Sequence, residues 1–400
     1  LLKNLVKCIY DSSDSNILVL AYTNRAVDEI CSVLKRIRDE KPDVFSFIRL
    51  GSKESSEHTD VLISKLAETY PIEELIGTVK NTRIIVSTVS SVLTNPEIMR
   101  IKKFHYAIID EASQILEPQI IGILSQIEKF IMIGDEKQLP AIVVQNSRFV
   151  NINNENLQSI ELNRLDGSLF ERLLKICKNN NWEHAFGMLT SQARMHKIIQ
   201  DFPNHSFYDG ELKVFDNKSW QTATDNIFSN ESDNAIERIL AKSRIIFIES
   251  PPEDNRKVNF QEAKTASLIA KTISSSYNSE FTHKTLGIIA PFRAQCYEIL
   301  KNLPEELTEL VTVDTVERFQ GSERDCIIIS FALNNVYQLK YTQNLINIGD
   351  YQVDRKLNVA LTRAKKHLIM LGNSEVLSQS SVFNSLIQYV KNAGGYFSND

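Results

Sequence analysis

The sequence predicts an α/β fold with two parallel sheets in tandem, and three observations support this prediction. Short apolar runs alternate with segments of helical spacing over residues 17–134, and the same rhythm returns over residues 244–371. Strands that alternate with helices are typical of parallel sheets covered by helices. A polar break at residues 178–183 separates the two stretches. We therefore predict a first domain at residues 1–183 and a second at residues 184–400.

The composition describes a globular protein without an overall basic charge. The 400 residues are enough for two domains of ordinary size, and 42% of them are hydrophobic. The net charge is −5, from 45 basic and 50 acidic residues, so any nucleic-acid contact must come from a local patch. No apolar stretch approaches the length of a membrane span, and we expect no membrane partner.

The cysteines and histidines are too scattered to predict a zinc site. The five cysteines form no CxxC pair and lie far apart, at Cys8, Cys31, Cys177, Cys296 and Cys326. Reduced cysteines of this kind favour an intracellular protein. The chain begins with Leu1 and not with Met, from which we expect a fragment of a longer protein.

In the first domain, the spacing of apolar residues predicts each element in turn. Strands are predicted at residues 17–21, 45–50, 83–87, 106–110 and 130–134. Helices are predicted at residues 1–10, 24–38 and 168–178, with one more inside a short insertion at 52–82. The Asn-rich residues 144–166 predict a loop without chemistry.

The second domain repeats this rhythm after a loop-rich stretch at residues 203–240, which contains Pro203. Strands are predicted at residues 244–248, 285–290, 326–331 and 367–371, and helices at 260–275, 292–302 and 355–365. Residues 311–325 are predicted to form a polar loop, and residues 335–352 a second polar excursion.

Two adjacent carboxylates, Asp110 and Glu111, follow the apolar run that ends in Ile108 and Ile109. Acidic groups at the carboxyl end of a buried parallel strand lie where open α/β sheets bind ligands. One such carboxylate can hold a divalent cation on a nucleotide, while the other orients and deprotonates water. An acidic turn after a strand is the alternative, and this stretch alone leaves both open.

The segment from Gly134 to Pro140 follows the next predicted strand. The amide of Gln138 could order an attacking water or sense a terminal phosphate. Gly-Asp followed by Pro is also an ordinary turn signal. Its position one strand–helix unit after Asp110 and Glu111 favours the functional interpretation.

Two arginines of the second half, Arg194 and Arg363, are candidates for a phosphoryl-transfer site. Arg194 lies in Gln-Ala-Arg-Met-His, and Arg363 lies in Leu-Asn-Val-Ala-Leu-Thr-Arg. Guanidinium groups that reach a transferring phosphoryl group act as arginine fingers. A surface ion pair is the more common role of a single arginine.

Taken in order, these segments resemble the motif series of superfamily 1 helicases. The series is LAYTNRAVDEI, STVSS, IIDEASQ, GDEKQLP, QARMH, IIAPFRAQ, TVDTVERFQGSERD and RKLNVALTRAKKHLIMLGN. It is similar to the 5′-to-3′ branch that includes the nonsense-mediated-decay RNA helicase and senataxin. The resemblance extends over almost the whole chain and implies tandem RecA-like domains with a nucleotide cleft between them.

The resemblance also implies roles for individual residues in the use of ATP. Asp110 would hold Mg²⁺, Glu111 would be the catalytic base, and Gln138 would couple the γ-phosphate to the rest of the site. Arg194 and Arg363 would be the arginine fingers. The residues implied to approach the nucleotide are Asp135, Arg293, Gly321 and Glu323.

A track for single-stranded DNA or RNA follows from the same resemblance. The residues implied for it are Thr23, Asn24, Thr88 and Ser90 in the first domain, with Pro291, Arg293 and Thr315 in the second. Small hydroxyl side chains and backbone amides grip phosphate and sugar without reading bases.

Two features depart from the family pattern. The phosphate-binding loop G-x-x-x-x-G-K-[ST] is absent. The segment most similar to it, Gly51-Ser52-Lys53, lacks the upstream glycine and does not join a strand to a helix. We expect this loop just upstream of Leu1, and we expect the chain alone to bind ATP poorly. At Ala193 the family often carries an aromatic residue that stacks on adenine, so base stacking must come from elsewhere.

The sequence therefore predicts the motor fragment of an ATP-dependent helicase that moves along single-stranded nucleic acid. A nucleic-acid-binding or scaffolding module with an inactive ATPase site is the alternative. The missing loop favours it for the chain as given, whereas the intact set of Asp110, Glu111, Gln138, Arg194 and Arg363 argues against a decayed site in the parent protein. A metal-dependent nuclease would need further clustered carboxylates, which the sequence does not show.

Overall fold

The computed structural model describes residues 1–41, 45–215, 218–254, 257–349 and 351–398. The chain divides into two compact units. Unit 1 comprises Leu1–Glu136 and Pro140–Gly187, and unit 2 comprises Lys137–Leu139 and Met188–Asp400. Each unit is built on a parallel sheet, so the predicted α/β fold class with two parallel-sheet domains in tandem is confirmed.

Unit 1 contains a five-stranded parallel sheet. Its strands are β1 (Ile17–Ala21), β2 (Phe47–Arg49), β3 (Ile84–Thr88), β4 (Tyr106–Ile109) and β5 (Lys129–Met132). Its helices are α1 (Leu2–Ser12), α2 (Asn24–Glu40), α3 (Ile63–Thr69), α4 (Ile72–Asn81), α5 (Val89–Thr94), α6 (Glu97–Ile101), α7 (Glu117–Leu124), α8 (Glu155–Gln158) and α9 (Leu169–Asn179). The strands lie in the order β2-β3-β1-β4-β5.

The central strand β1 is buried on both faces, which explains why its sequence is apolar throughout. All five of its residues are buried, and it pairs in parallel with β3 on one side and β4 on the other. Ile17 and Val19 pack in the core on one face of the sheet, and Leu18 and Leu20 pack in the core on the other. A strand covered on both faces needs apolar side chains at every position.

The strand β5 lies at one edge of this sheet and is less covered than its neighbours. It pairs with β4, and no strand of the described residues pairs with its outer side. Lys129 is exposed, and 42% of the surface of Phe130 is exposed.

Unit 2 contains a six-stranded parallel sheet and two small two-stranded sheets. Its strands are β6 (Ser191–Gln192), β7 (Lys213–Val214), β8 (Ile245–Glu249), β9 (Leu286–Ile289), β10 (Thr312–Asp314), β11 (Arg324–Ser330), β12 (Leu345–Ile348), β13 (Tyr351–Asp354), β14 (Ala364–Gly372) and β15 (Tyr396–Phe397). Its helices are α10 (Lys197–Phe207), α11 (Ala235–Lys242), α12 (Phe260–Tyr277), α13 (Arg293–Asn302), α14 (Val316–Phe319), α15 (Leu339–Thr342), α16 (Arg355–Leu361), α17 (Ser374–Leu377) and α18 (Ser381–Asn392).

The main sheet of unit 2 has the order β10-β9-β11-β14-β8-β15, and it too has a core on each face. Along β14, Leu368 and Met370 pack on one side, and Ile369 and Leu371 pack on the other. Throughout the described part of the chain, no helix combines the length and the apolar character needed to cross a membrane.

Several predicted loops of unit 2 are wrong, because packing overrides the local signals. Pro203 lies inside α10, where Phe202 and Phe207 on the same helix are buried in the core. The predicted polar loop at residues 311–325 contains β10, α14 and the start of β11. The predicted excursion at residues 335–352 contains α15, β12 and the start of β13, and the loop-rich stretch at 203–240 contains most of α11.

Candidate functional site

In unit 1, the predicted residues gather at the carboxyl edge of the sheet. Thr88 ends β3, Thr23 follows β1, and Asp110 follows β4. Because β3, β1 and β4 are neighbouring parallel strands, their carboxyl ends meet at one edge. The acidic pair thus lies at the same sheet edge as the first-domain residues predicted for nucleic acid.

The turn after β4 holds Asp110 and Glu111 in a defined geometry. The Asp110 N–H donates to the Leu20 carbonyl at 2.8 Å, which extends the ladder to β1. The Glu111 N–H donates to Asp110 Oδ1 at 3.1 Å, and Gln114 Nε2 donates to Glu111 Oε2 at 2.8 Å. Glu111 has φ +52°, a left-handed conformation that is uncommon for a residue with a side chain. Such backbone strain is found preferentially at functional sites.

Burial raises the pKa of Asp110 to about 6, and the neighbouring Glu111 carboxylate adds to the increase. A carboxylate with this environment gains from a cation beside it, because the cation compensates both the lost hydration and the like charge. Mg²⁺ on a nucleotide takes one or two protein carboxylates together with phosphate oxygens. The donor set at Asp110 fits this ion.

The turn after β5 packs tightly against the turn that carries Glu111. A Cβ atom built at Gly134 would lie 3.0 Å from the Ser113 backbone nitrogen and 3.3 Å from the Phe170 ring. The Ser113 hydroxyl is buried and has no hydrogen-bond partner among the described atoms. The sequence-based prediction missed Ser113, although it lies inside the quoted segment IIDEASQ.

The residues predicted for nucleic acid in unit 1 form the starts of two helices. Thr23 Oγ1 accepts the Ala26 N–H at 3.2 Å and caps α2, and Thr88 Oγ1 accepts the Ser91 N–H at 3.0 Å and caps α5. Thr88 lies beside Ala21 in the parallel register of β1 and β3. Asn24 and Ser90, which follow the two caps, are exposed.

In unit 2, a second group lies at the amino edge of the main sheet. Glu323 precedes β11 and Arg363 precedes β14, and these two strands are neighbours. Arg194 Nε donates to Glu323 Oε2 at 2.8 Å, and Lys365 Nζ lies 3.6 Å from Glu323 Oε1. Burial opposes ionisation of Glu323, but Arg194 and Lys365 together hold its pKa below the usual value. Glu323 is therefore a charged partner of Arg194.

Arg363 is held by several acceptors within unit 2 and is only 2% exposed. Its Nε donates to the Val359 carbonyl at 3.0 Å, and its Nη1 donates to the Ser322 carbonyl at 3.3 Å. Its Nη2 lies 3.4 Å from Gln138 Oε1, at the long end of a hydrogen bond. Two residues predicted from different segments, Gln138 and Arg363, are thus brought together.

Gly321 lies close to this group in the chain and adopts φ +76°, with open space where a Cβ would lie. A side chain at this position would be strained by the backbone conformation. Asp135, which was predicted to approach the nucleotide, is half-buried in unit 1 after Gly134. The carbonyl of Ala193 accepts Lys218 Nζ at 3.0 Å.

The carboxyl edge of the same sheet carries a third group, made of Pro291, Arg293 and Thr315. Pro291 and Arg293 follow β9, Thr315 follows β10, and these strands pair in parallel. Arg293 is exposed at the start of α13. Because Gly321 and Glu323 precede β11, the structure places Arg293 at the opposite edge from them and groups it with the residues predicted for nucleic acid.

Two family models match the chain. Residues 165–375 match a model described as an AAA domain, and residues 72–146 match a second model with the same description. The first match alone covers more than half of the chain.

Among curated proteins, the relatives include proteins from three organisms, two of which are named as helicases. The chain is 31% identical over 315 residues to an ATP-dependent helicase of Methanocaldococcus jannaschii. This alignment covers 77% of this chain and 41% of the relative. It is 28% identical over 392 residues to a DNA replication ATP-dependent helicase/nuclease of Arabidopsis thaliana, with coverage of 95% and 27%. It is 30% identical over 300 residues to regulator of nonsense transcripts 1 of Dictyostelium discoideum, with coverage of 72% and 20%.

The chain spans less than half of the length of each of these relatives. Its motif segments follow the order expected for one family, and the matched models and the names of the relatives support that family. The chain belongs to the superfamily 1 helicases of the group that includes the nonsense-transcript regulator, senataxin and the DNA replication helicase/nuclease.

Proposed function

We propose that this chain is the motor portion of an ATP-dependent helicase that couples ATP hydrolysis to movement along single-stranded nucleic acid inside the cell. The observation that carries the proposal is the turn of Asp110 and Glu111 at the carboxyl edge of unit 1. This turn carries two carboxylates at the sheet edge that also holds the capped helix starts at Thr23 and Thr88, and the backbone of Glu111 is left-handed.

In this proposal, the side chains of unit 1 bind the metal and activate water. Asp110 would hold Mg²⁺, which when bound supplies charge neutralisation at the phosphate oxygens. The Glu111 carboxylate accepts a proton from the attacking water, while its bond from Gln114 Nε2 orients it. General base catalysis of this kind contributes about 10²- to 10⁴-fold to the rate of a reaction.

The side chains of unit 2 would stabilise the charge that develops on the transferred phosphoryl group. The guanidinium of Arg363 is buried beside Gln138, and the guanidinium of Arg194 is paired with Glu323. An arginine held by carbonyl acceptors needs little reorganisation when the charge forms. Gly321 and Asp135 would approach the nucleotide.

The nucleic acid would be held through its backbone. Unit 1 would contribute hydroxyl, amide and backbone N–H groups from Thr23, Asn24, Thr88 and Ser90. Unit 2 would contribute Pro291, Arg293 and Thr315, at the carboxyl edge of its main sheet. Contacts of this type fix a strand without reading its sequence. One relative is named for DNA replication and another for nonsense transcripts, so DNA and RNA are both compared in the test.

The test is nucleic-acid-stimulated ATP hydrolysis by the protein in its full natural length, with single-stranded DNA and single-stranded RNA. Glu111→Gln should retain nucleotide binding and lower kcat by about 10²- to 10⁴-fold, because it removes the base without changing the shape of the side chain. Glu128→Gln is the matched control, since Glu128 is exposed in unit 1 and pairs with Lys103.

Normal turnover by Glu111→Gln would contradict the assignment of the base. Nucleic-acid binding by the wild type without any ATP hydrolysis would contradict the motor and support a binding or scaffolding module instead.

A further inference from the structure

The segment Lys137–Leu139 belongs to unit 2, although Glu136 and Pro140 on either side belong to unit 1. Leu139 is buried in a core of unit 2 that also contains Leu357 and Met195. Lys137 is only 7% exposed, which is unusual for a lysine. The burial of this side chain calls for specific partners.

Lys137 Nζ lies in a cage made by two tyrosines and a carboxylate. It donates to the Tyr351 hydroxyl at 2.8 Å and lies 3.4 Å from Asp209 Oδ2. It also lies 5.3 Å from the ring centroid of Tyr208 and 5.5 Å from that of Tyr351, within the range of cation–π attraction. The Tyr351 hydroxyl in turn donates to Asp209 Oδ2 at 3.1 Å. The charge of Lys137 is thus compensated from several directions.

The backbone of Lys137 is fixed as firmly as its side chain. Asn358 Nδ2 donates to the Lys137 carbonyl at 2.7 Å and to the Tyr208 hydroxyl at 2.8 Å. Asn358 is fully buried in α16, the helix that leads directly to Arg363. One helix therefore holds both the peptide before Gln138 and the guanidinium beside Gln138.

We propose that Lys137 is a positioning residue that holds the Gln138 amide against Arg363. Its cage and the bond from Asn358 fix the residue immediately before Gln138, and Gln138 Oε1 then lies 3.4 Å from Arg363 Nη2. This inference rests on the proposed function, because it acts through two residues assigned to ATP hydrolysis. Lys137 itself touches neither nucleotide nor metal in the proposal.

The experiment measures ATP hydrolysis by the full-length protein with saturating single-stranded nucleic acid. Lys137→Met keeps the length of the side chain but removes its charge and its donor, and it should lower kcat by about 10- to 100-fold with little change in KM. Tyr351→Phe removes only the hydroxyl and should change kcat in the same direction by a smaller factor. Lys366→Met is the matched control, because Lys366 pairs with Asp325 at 2.8 Å and lies 5.8 Å from the Tyr277 ring centroid.

A double-mutant cycle with Gln138→Ala distinguishes positioning of Gln138 by Lys137 from a merely structural role of Lys137. If Lys137 acts through Gln138, Lys137→Met should have little further effect on kcat in the Gln138→Ala protein. Equal effects of Lys137→Met in both backgrounds, or an unchanged kcat in the single variant, would overturn the positioning role alone. Absence of hydrolysis by the wild type would overturn the proposed function and this inference together.

Discussion

The carboxyl group of Glu262 is fully buried in unit 2. Its Oε2 accepts the Ser330 hydroxyl at 2.7 Å and the Ala332 N–H at 2.9 Å, while its Oε1 has no partner among the described atoms. Burial raises the pKa of Glu262 to about 8, and the charges of Glu253 and Glu249 act in the same direction. The group is therefore protonated in the folded chain at neutral pH.

This shift predicts how the free energy of unfolding depends on pH. A carboxyl whose pKa is raised on folding contributes fully below its unfolded value, and this contribution is lost as pH rises from about 4.5 to about 8. Glu262→Gln keeps a neutral amide at every pH and should lose less stability over this interval. Urea unfolding of both proteins at about pH 5.5 and about pH 8 measures the difference. Parallel pH profiles for the two proteins would contradict the protonated state.

The residue scale also shows what local patterns can reveal. Asp110, Glu111 and Arg363 were predicted because their neighbours in the chain form recognisable segments, and the structure gives each a distinct environment. The burial of Glu262 was not predicted, because its partners Ser330 and Ala332 lie far away in sequence. No spacing in α12 distinguishes this glutamate from an exposed one.

At the scale of elements, close packing between two turns constrains the candidate site. Gly134 follows β5, and a Cβ at this position would make tight contacts with the Ser113 backbone nitrogen at 3.0 Å and the Phe170 ring at 3.3 Å. Backbone atoms cannot move aside as a flexible side chain can. The close packing of the Glu111 turn against the turn after β5 therefore requires a glycine at position 134.

Gly134→Ala should consequently displace the turn that carries Glu111. We expect a loss of about 1–3 kcal/mol in the free energy of unfolding, as for overpacked sites, together with slower ATP hydrolysis. Gly122→Ala is the control, because Gly122 lies in α7 with no atom near its Cβ position. Urea unfolding and ATPase assays compare the two variants. If Gly134→Ala and Gly122→Ala have equal free energies of unfolding, the turns after β4 and β5 do not constrain each other.

The long apolar elements were predicted well, and the short ones were not. The predicted strand at residues 17–21 coincides with β1, because a strand buried on both faces is apolar at every position. β10 has only three residues, one of them exposed, so its sequence looks like a polar loop. Pro203 was taken as a loop signal, but burial of Phe202 and Phe207 stabilises the helix around it.

At the scale of the whole molecule, each unit follows the same plan of a parallel sheet between two cores. The sequence predicted this plan from the repeated rhythm of strands and helices. It did not predict that Lys137–Leu139 pack with unit 2. The chain returns to unit 1 after three residues, and no composition change marks so short an excursion.

The open side of β5 has a consequence for the behaviour of this chain in solution. Lys129 and Phe130 leave an exposed strand with unpaired backbone on one side among the described residues, which is a template for strand addition by a second copy. Phe130→Lys should therefore reduce concentration-dependent self-association, as measured by sedimentation velocity. Phe149→Lys is the control, since Phe149 is exposed in unit 1 but lies outside the strands. If both variants reduce self-association equally, the added surface charge is responsible. If only Phe130→Lys reduces it, self-association occurs through the open edge of β5.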